Sequence, residues 1–145
     1  YFQKIRTCKY SYVSSHYNLL VTKKINVKTL VYSKKVLSIL QVLYRSGVIS
    51  NYYLYKTPNK NDNHLLLAKS YIKFTVFIYK QTPFFKKINS ISTPSKLFFI
   101  SCKTLILTKN IFKSSLIILS TPYGLLTNKE AIAMNTGGKL IYILS

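Results

Sequence analysis

Asp62 and Glu130 are the only carboxylates in 145 residues, His16 and His64 the only imidazoles, and Cys8 and Cys102 the only thiols. Paired-carboxylate chemistry would need Asp62, in a Pro/Asn turn, to converge with Glu130, in a helix cap. The histidines have no ligand-spaced partner, and the cysteines lack the C-x-x-C spacing of a metal or redox site. A Cys–His pair is arithmetically possible but has no local signature. No Gly-rich loop follows a strand in phosphate- or dinucleotide-binding form. No catalytic residue, metal ligand, cofactor or small-molecule substrate is therefore expected, and the thiols read as free groups in a reducing compartment.

The charge balance carries positive information. Twenty-two Lys+Arg against two acids give a net charge of +20. So few acids cannot neutralise the cations from within, so the counter-charge must come from outside, nucleic acid first and an anionic membrane surface second. Only Arg6 and Arg45 are arginines. A lysine-rich surface favours point-charge contact with phosphates over forked reading of bases. Lysines also follow aromatics, as in Tyr52-Tyr53-Leu54-Tyr55-Lys56, Tyr79-Lys80 and Phe84-Phe85-Lys86-Lys87. A single such run suits a solvated strand, but with the overall charge the set favours a protein lying along phosphates. Lysines interrupt every apolar run before it reaches the length of a membrane span. The basic segments are strand-like, not amphipathic helices, which argues against a membrane surface.

The most specific stretch is Leu116 to Leu144. Leu116-Ile117-Ile118-Leu119 reads as a buried strand, followed by a Ser120-Thr121-Pro122-Tyr123-Gly124 loop. Thr127-Asn128-Lys129-Glu130 has the spacing of a capping box, in which Thr127 and Glu130 satisfy each other's amides. A short helix is predicted next, with Ala131 and Met134 on one face, then Gly137-Gly138 and a closing strand from Lys139 to Leu144. Short hydroxyls and a glycine in the loop would let backbone approach a shallow RNA groove.

That succession resembles the C-terminal signature of the small-subunit ribosomal protein eight family, which runs Ser-Thr-Ser-x-Gly, Thr-Asp-x-Glu-Ala, Gly-Gly-Glu and a last strand. Ser120, Thr121, Gly124, Thr127, Glu130, Ala131, Gly137 and Gly138 match. Pro122 removes an amide donor from the loop, Asn128 replaces an acid, and Lys139 stands where the family has Glu. Upstream, Ser90-Ile91-Ser92-Thr93-Pro94-Ser95-Lys96 resembles the family's hinge, with Ser95 for Gly and Leu97 for an Arg. Lys113-Ser114-Ser115 stands where the family carries Gly-Leu-Gly.

The rest of the chain is read by periodicity. Residues 1–17 form a basic arm along RNA or the approach to a first helix. That helix is capped by Ser14-Ser15, contains Tyr17, Leu19, Leu20 and Val21, and ends at Lys23-Lys24. Val27 to Tyr32 is predicted as a strand, with Val27, Thr29 and Val31 on one side. Ser33 precedes the clearest helix, with Val36, Ile39, Leu40, Leu43 and Tyr44 on one face and Gly47 beyond its end. Lys34 and Lys35 open it, as in the family's Ser-Lys helix. Val48 to Tyr55 reads as a strand, 57–63 as a turn or short disordered tip, and Tyr71 to Tyr79 as an alternating strand. Thr82-Pro83 is a turn, Leu97 to Ile100 a strand, and Leu105 to Lys113 a connection.

The predicted class is α+β in two small lobes. Residues 1–92 are a basic arm with helices packed on a short sheet, and 93–145 a mostly antiparallel β, rRNA-binding lobe with a short helix. The resemblance implies a structural constituent of the small ribosomal subunit that holds a helical junction in the central domain of its rRNA. Neighbouring small-subunit proteins are the other expected partners, and a membrane is not. The RNA-facing residues it implies are Ser120, Thr121, Tyr123, Gly124, Gly137, Gly138 and Lys139, then Ser92, Thr93, Pro94, Ser95 and Lys96. The lysine pairs Lys34–Lys35 and Lys86–Lys87 would hold phosphate. Alternatives are a free-standing basic RNA-binding module and a peripheral protein on anionic membrane. The wealth of Lys, Asn, Ile, Tyr and Phe is what AT-rich codons encode, which favours a mitochondrial ribosome, with a plastid or bacterial cytoplasm as alternatives. The sequence opens on Tyr1 rather than Met, consistent with a start further upstream.

Overall fold

The computed structural model describes residues 8–56, 70–111 and 113–145. The expected turn at 57–63, with Asp62, lies outside them, as do His64, the arm before Cys8 and the side chain of Phe112. In chain order the elements are α1 (Lys9–Lys23), β1 (Val27–Val31), α2 (Lys34–Arg45), β2 (Ile49–Lys56) and β3 (Ser70–Val76). Then come β4 (Ile78–Tyr79), β5 (Thr82–Pro83), β6 (Ile88–Ser90), β7 (Phe99–Ile100) and α3 (Cys102–Thr108). The chain closes with β8 (Leu116–Thr121), β9 (Gly124–Thr127), α4 (Asn128–Ala133) and β10 (Gly138–Leu144). This is the expected α+β arrangement of N-terminal helices with a small sheet and a C-terminal antiparallel sheet with a short helix.

The chain forms two compact units, Leu20–Phe84 and Tyr1–Leu19 with Phe85–Ser145. The first is a three-stranded antiparallel sheet in the order β1-β3-β2 with α2 against it. The Ser33 hydroxyl caps α2 by accepting from the Val36 amide at 3.2 Å. Val36, Ile39, Leu40 and Leu43 are buried as the periodicity requires, together with Val42, while Tyr44 is exposed. They meet Leu30, Ile49, Ile72, Phe74 and Val76, the inward side of the sheet. Val27, Thr29 and Val31 therefore lie on its outward side: Leu30 is the one buried residue of β1.

The ends of α1, α2 and α4 are alike. After α2, the Val48 amide donates to Leu43 O and the Gly47 amide to Tyr44 O, around a left-handed Gly47 (φ 78°). This is a Schellman closure. α1 ends the same way around Lys24 (φ 54°), with Ile25 N to Leu20 O and Lys24 N to Val21 O. α4 does so around Asn135 (φ 53°), with Thr136 N to Ala131 O and Asn135 N to Ile132 O. Thr82-Pro83 is not a turn but half of a hairpin with β4, whose two linking residues, Lys80 and Gln81, both have positive φ.

The second unit is a sheet in the order β6-β10-β8-β9, with β7 also pairing β10. Leu105, Ile117, Leu119 and Ala131 form the core on one face, under α3 and α4. Tyr142 lies on the other, edge-to-face with Tyr10 of α1 and donating to the Tyr10 carbonyl at 2.5 Å. α1 begins at Lys9, so Ser14 and Ser15 are interior to it, and both hydroxyls bond the Ser11 carbonyl behind them. Residues 105–108, expected as connection, are part of α3, and Met134 is exposed at the end of α4.

The boundary expected at 92/93 differs from these units. β6 pairs β10 through Ile88↔Leu144 and Ser90↔Tyr142. Asn18 locks α1 onto the same strand: Nδ2 donates to Ile88 O at 2.9 Å, and Oδ1 accepts from Ile88 N at 2.8 Å. Pairings about seventy residues apart thus group the chain's beginning with its C-terminal sheet.

Candidate nucleic-acid interface

β8 and β9 form a hairpin in register Ser120↔Leu125 and Thr121↔Gly124, so the expected Ser120–Gly124 loop is a tight turn over Pro122 and Tyr123. Pro122 pre-sets the backbone at the first linking position, and Gly124 (φ 106°) supplies the left-handed residue that closes it. A Cβ on Gly124 would meet nothing within 4 Å, so glycine is needed there for conformation, not for space. Thr121 is only 9% exposed. Its hydroxyl donates to Gly124 O at 2.9 Å and accepts from Tyr123 N at 3.2 Å. Tyr123, 68% exposed, is the prominent side chain of the tip.

Behind the turn, Lys139 on β10 sits opposite Ser120 on one side and Phe99 on the other. Phe99, Lys139 and Ser120 thus form one cross-strand row, both latter residues half-buried and Phe99 exposed. The charge of Lys139 reaches Cys8 at the start of α1. Burial works to raise that thiol, but the Ser11 and Tyr10 amides, the Ser11 hydroxyl and Lys139 outweigh it, and the thiol lies below its ordinary value.

The two glycines serve packing. A Cβ on Gly138 would collide with the Ser120 carbonyl and approach Thr121 Cγ2 at 3.1 Å. One on Gly137 would collide with the Ile100 carbonyl and lie 2.9 Å from Ser101 Cα. They let β10 enter between β7 and β8. The cap below is as expected: Thr127 N donates to Glu130 Oε2 at 3.0 Å, and Glu130 N to Thr127 Oγ1 at 3.4 Å.

Ser92 to Lys96 links β6 to β7 on the other edge of β10. Ser92 is buried, its hydroxyl accepting from Phe98 N at 3.1 Å. Thr93 and Lys96 exchange backbone hydrogen bonds at 2.9 and 3.2 Å, closing a tight turn. Thr93, Pro94, Ser95 and Lys96 are exposed at its tip, and Lys96 Nζ lies 5.3 Å from the Phe98 ring centroid. Lys86 and Lys87, both exposed, donate their amides to Ser145 O, at the end of β10 where Leu144 pairs Leu116. β8 runs from there to the turn, which separates this lysine pair from Tyr123 by roughly 17 Å of strand. The structure thus joins Ser120, Thr121, Tyr123, Gly124, Gly138 and Lys139 at one end of a sheet and sets the other groups apart along it. Lys34 and Lys35 are exposed at the start of α2, in the other unit. Phe99, absent from the expected set, becomes visible only through its pairing with Lys139.

Among the described residues, no group of three or more His, Cys, Asp or Glu could hold a metal, and no helix is long and apolar enough to cross a membrane. Residues 13–144 match the family described as Ribosomal protein S8. Among curated proteins, the chain is 31% identical over 124 residues to small ribosomal subunit protein uS8 of Brucella ovis, covering 86% of each. It is 32% identical over 125 residues to the uS8 of Rickettsia bellii, again covering 86% of each. It is also 37% identical over 92 residues to the plastid-type uS8c of Helicosporidium, covering 55% of this chain and 66% of that one. With its strand, closed turn, capped helix, paired glycines and final strand in family order, the chain belongs to the ribosomal protein S8 family.

Proposed function

We propose that this chain is a structural, non-enzymatic constituent of the small ribosomal subunit that binds and stabilises a helical junction in the central domain of its rRNA. The observation that carries this is the family match over residues 13–144, which takes in both compact units. The geometry supports assigning RNA contact to the β8–β9 turn. Tyr123 and the outward side of Gly124 stand clear of the fold, with Lys139 in the row behind them. Thr121 and Gly138 hold that surface in shape. Thr93 to Lys96, Lys86–Lys87 and Lys34–Lys35 act as phosphate contacts at other points. A Lys/Asn/Ile/Tyr-rich composition, as AT-rich codons produce, favours a mitochondrial ribosome, where the relatives are bacterial and plastid-type.

Binding of the full chain to a central-domain rRNA fragment, titrated with salt, tests this. About 6–10 phosphate contacts lower affinity by roughly three decades or more between low and physiological salt. Co-sedimentation with small-subunit particles and not with anionic vesicles is the companion result. A flat salt response, or pelleting with vesicles alone, overturns the reading.

A further inference from the structure

The outward face of the β1-β3-β2 sheet holds a second feature, wholly within the Leu20–Phe84 unit. The pleat sends Ile72, Phe74 and Val76 inward, so their neighbours Tyr71 and Lys73 point away from α2. Register then places Tyr53 on β2 and Thr29 on β1 on either side of Lys73, and Tyr55 beside Tyr71. Tyr53 is 46% and Tyr55 37% exposed. The Tyr55 and Tyr71 rings lie offset and nearly parallel, centroids 5.8 Å apart at 25°. Lys73 Nζ stands 5.8 Å from the Tyr53 centroid. A sheet normally keeps such rings for its core, and here the core is already filled from the other side.

We propose that this face is a stacking platform for unpaired RNA bases, with Tyr53 and Tyr55 receiving bases and Lys73 the intervening phosphate. It deepens the ribosomal reading, and rests on it for the source of the RNA. Aromatic rings on an open sheet offer every base a π-face, and a lysine on the next strand, opposite Tyr53, sits where a strand crossing the sheet brings its backbone. Charge decides between RNA and a protein cover. The described residues of this unit contain no acid, so a covering protein would have to bring one to Lys73 in an otherwise aromatic interface. RNA brings a phosphate with each base.

The test uses the full chain with two probes, a short single-stranded RNA carrying 2-aminopurine and an RNA duplex of equal length. Wild-type protein quenches the 2-aminopurine on binding, as stacking does. Tyr53→Ala and Tyr55→Ala each weaken single-strand binding about tenfold. Tyr53→Phe and Tyr55→Phe, which keep the ring, hold wild-type affinity, and duplex binding is unchanged throughout. Absence of quenching, or Ala variants that bind single strands as wild type does, overturns the proposal and leaves the face to a protein neighbour. Equal losses on both probes overturn it too, as a general charge or folding effect. The central-domain fragment tests the ribosomal reading separately, through the β8–β9 turn and the salt slope, so either reading can fail alone.

Discussion

The Thr121 hydroxyl donates to the Gly124 carbonyl across the β8–β9 turn at 2.9 Å, while accepting the Tyr123 amide. The side chain that reads from sequence as a groove contact is committed to the backbone of its own turn. Thr121→Ala should therefore lower stability by about 1 kcal/mol, the usual net value of such a bond. Thr121→Ser should restore both the melting temperature and affinity for the rRNA fragment. Restored stability without restored affinity would mean that RNA reads the Thr121 methyl.

The cap at α4 separates geometry from charge. Glu130→Gln keeps the reciprocal bond to Thr127 N and should melt close to wild type. Glu130→Ala should lose about 1 kcal/mol, read as a shift in denaturant midpoint. Equal behaviour of the two variants would show that the side chain does not cap in solution.

α2 begins with Lys34 and Lys35 and has no acid in its first turn, so two cations sit at the positive end of its dipole. Replacing both by Gln should raise stability by a few tenths of a kcal/mol each and weaken RNA binding. It should also flatten the salt slope by roughly one to two units, on cognate and unrelated RNA alike. A gain in stability with unchanged RNA affinity would remove these lysines from the interface.

Burial pushes Tyr17 up to about 12 and raises Tyr142 further. Both phenols are neutral in either state below pH 10, where their contribution is fully present. Above pH 10 the unfolded chain ionises first, so stability falls as pH rises towards 12, by up to about 1.4 kcal/mol per unit for each group. Tyr17→Phe should lose about 1 kcal/mol at neutral pH, since the hydroxyl donates to Phe85 O at 2.9 Å. It should also show a shallower alkaline decline. Parallel pH profiles for the two proteins would contradict the assignment.

What could be read in advance was what short spacings encode. Ser33 with the face of α2, and Thr127 with Glu130, are patterns three to seven residues long, and both stand in the fold. β6 is not separable as a strand, because three residues have no period of their own and are defined by β10, and of the strand expected at Leu97 to Ile100 only Phe99–Ile100 pairs. α3 buries only Leu105, too little to show an amphipathic stripe. In β1 the alternation puts Val27, Thr29 and Val31 on one side, and only pairing with β3 shows that Leu30, not they, faces inward. At the turn, the direction of the Thr121 hydroxyl depends on a left-handed Gly124 that composition does not reveal.

Lys24, Lys80, Gln81 and Asn135 hold left-handed backbone at places where glycine or Asn-Gly is usual. For a lysine or glutamine that conformation costs on the order of 1 kcal/mol. Lys24→Gly and Gln81→Gly should each recover about that much in denaturant melts. Several such positions consume a sizeable part of the margin that keeps a small protein folded. Degradation by proteases follows the open population, and binding to RNA shrinks that population by mass action. Unassembled copies should then be short-lived and assembled ones durable, so that supply of the protein is matched to supply of its RNA by turnover.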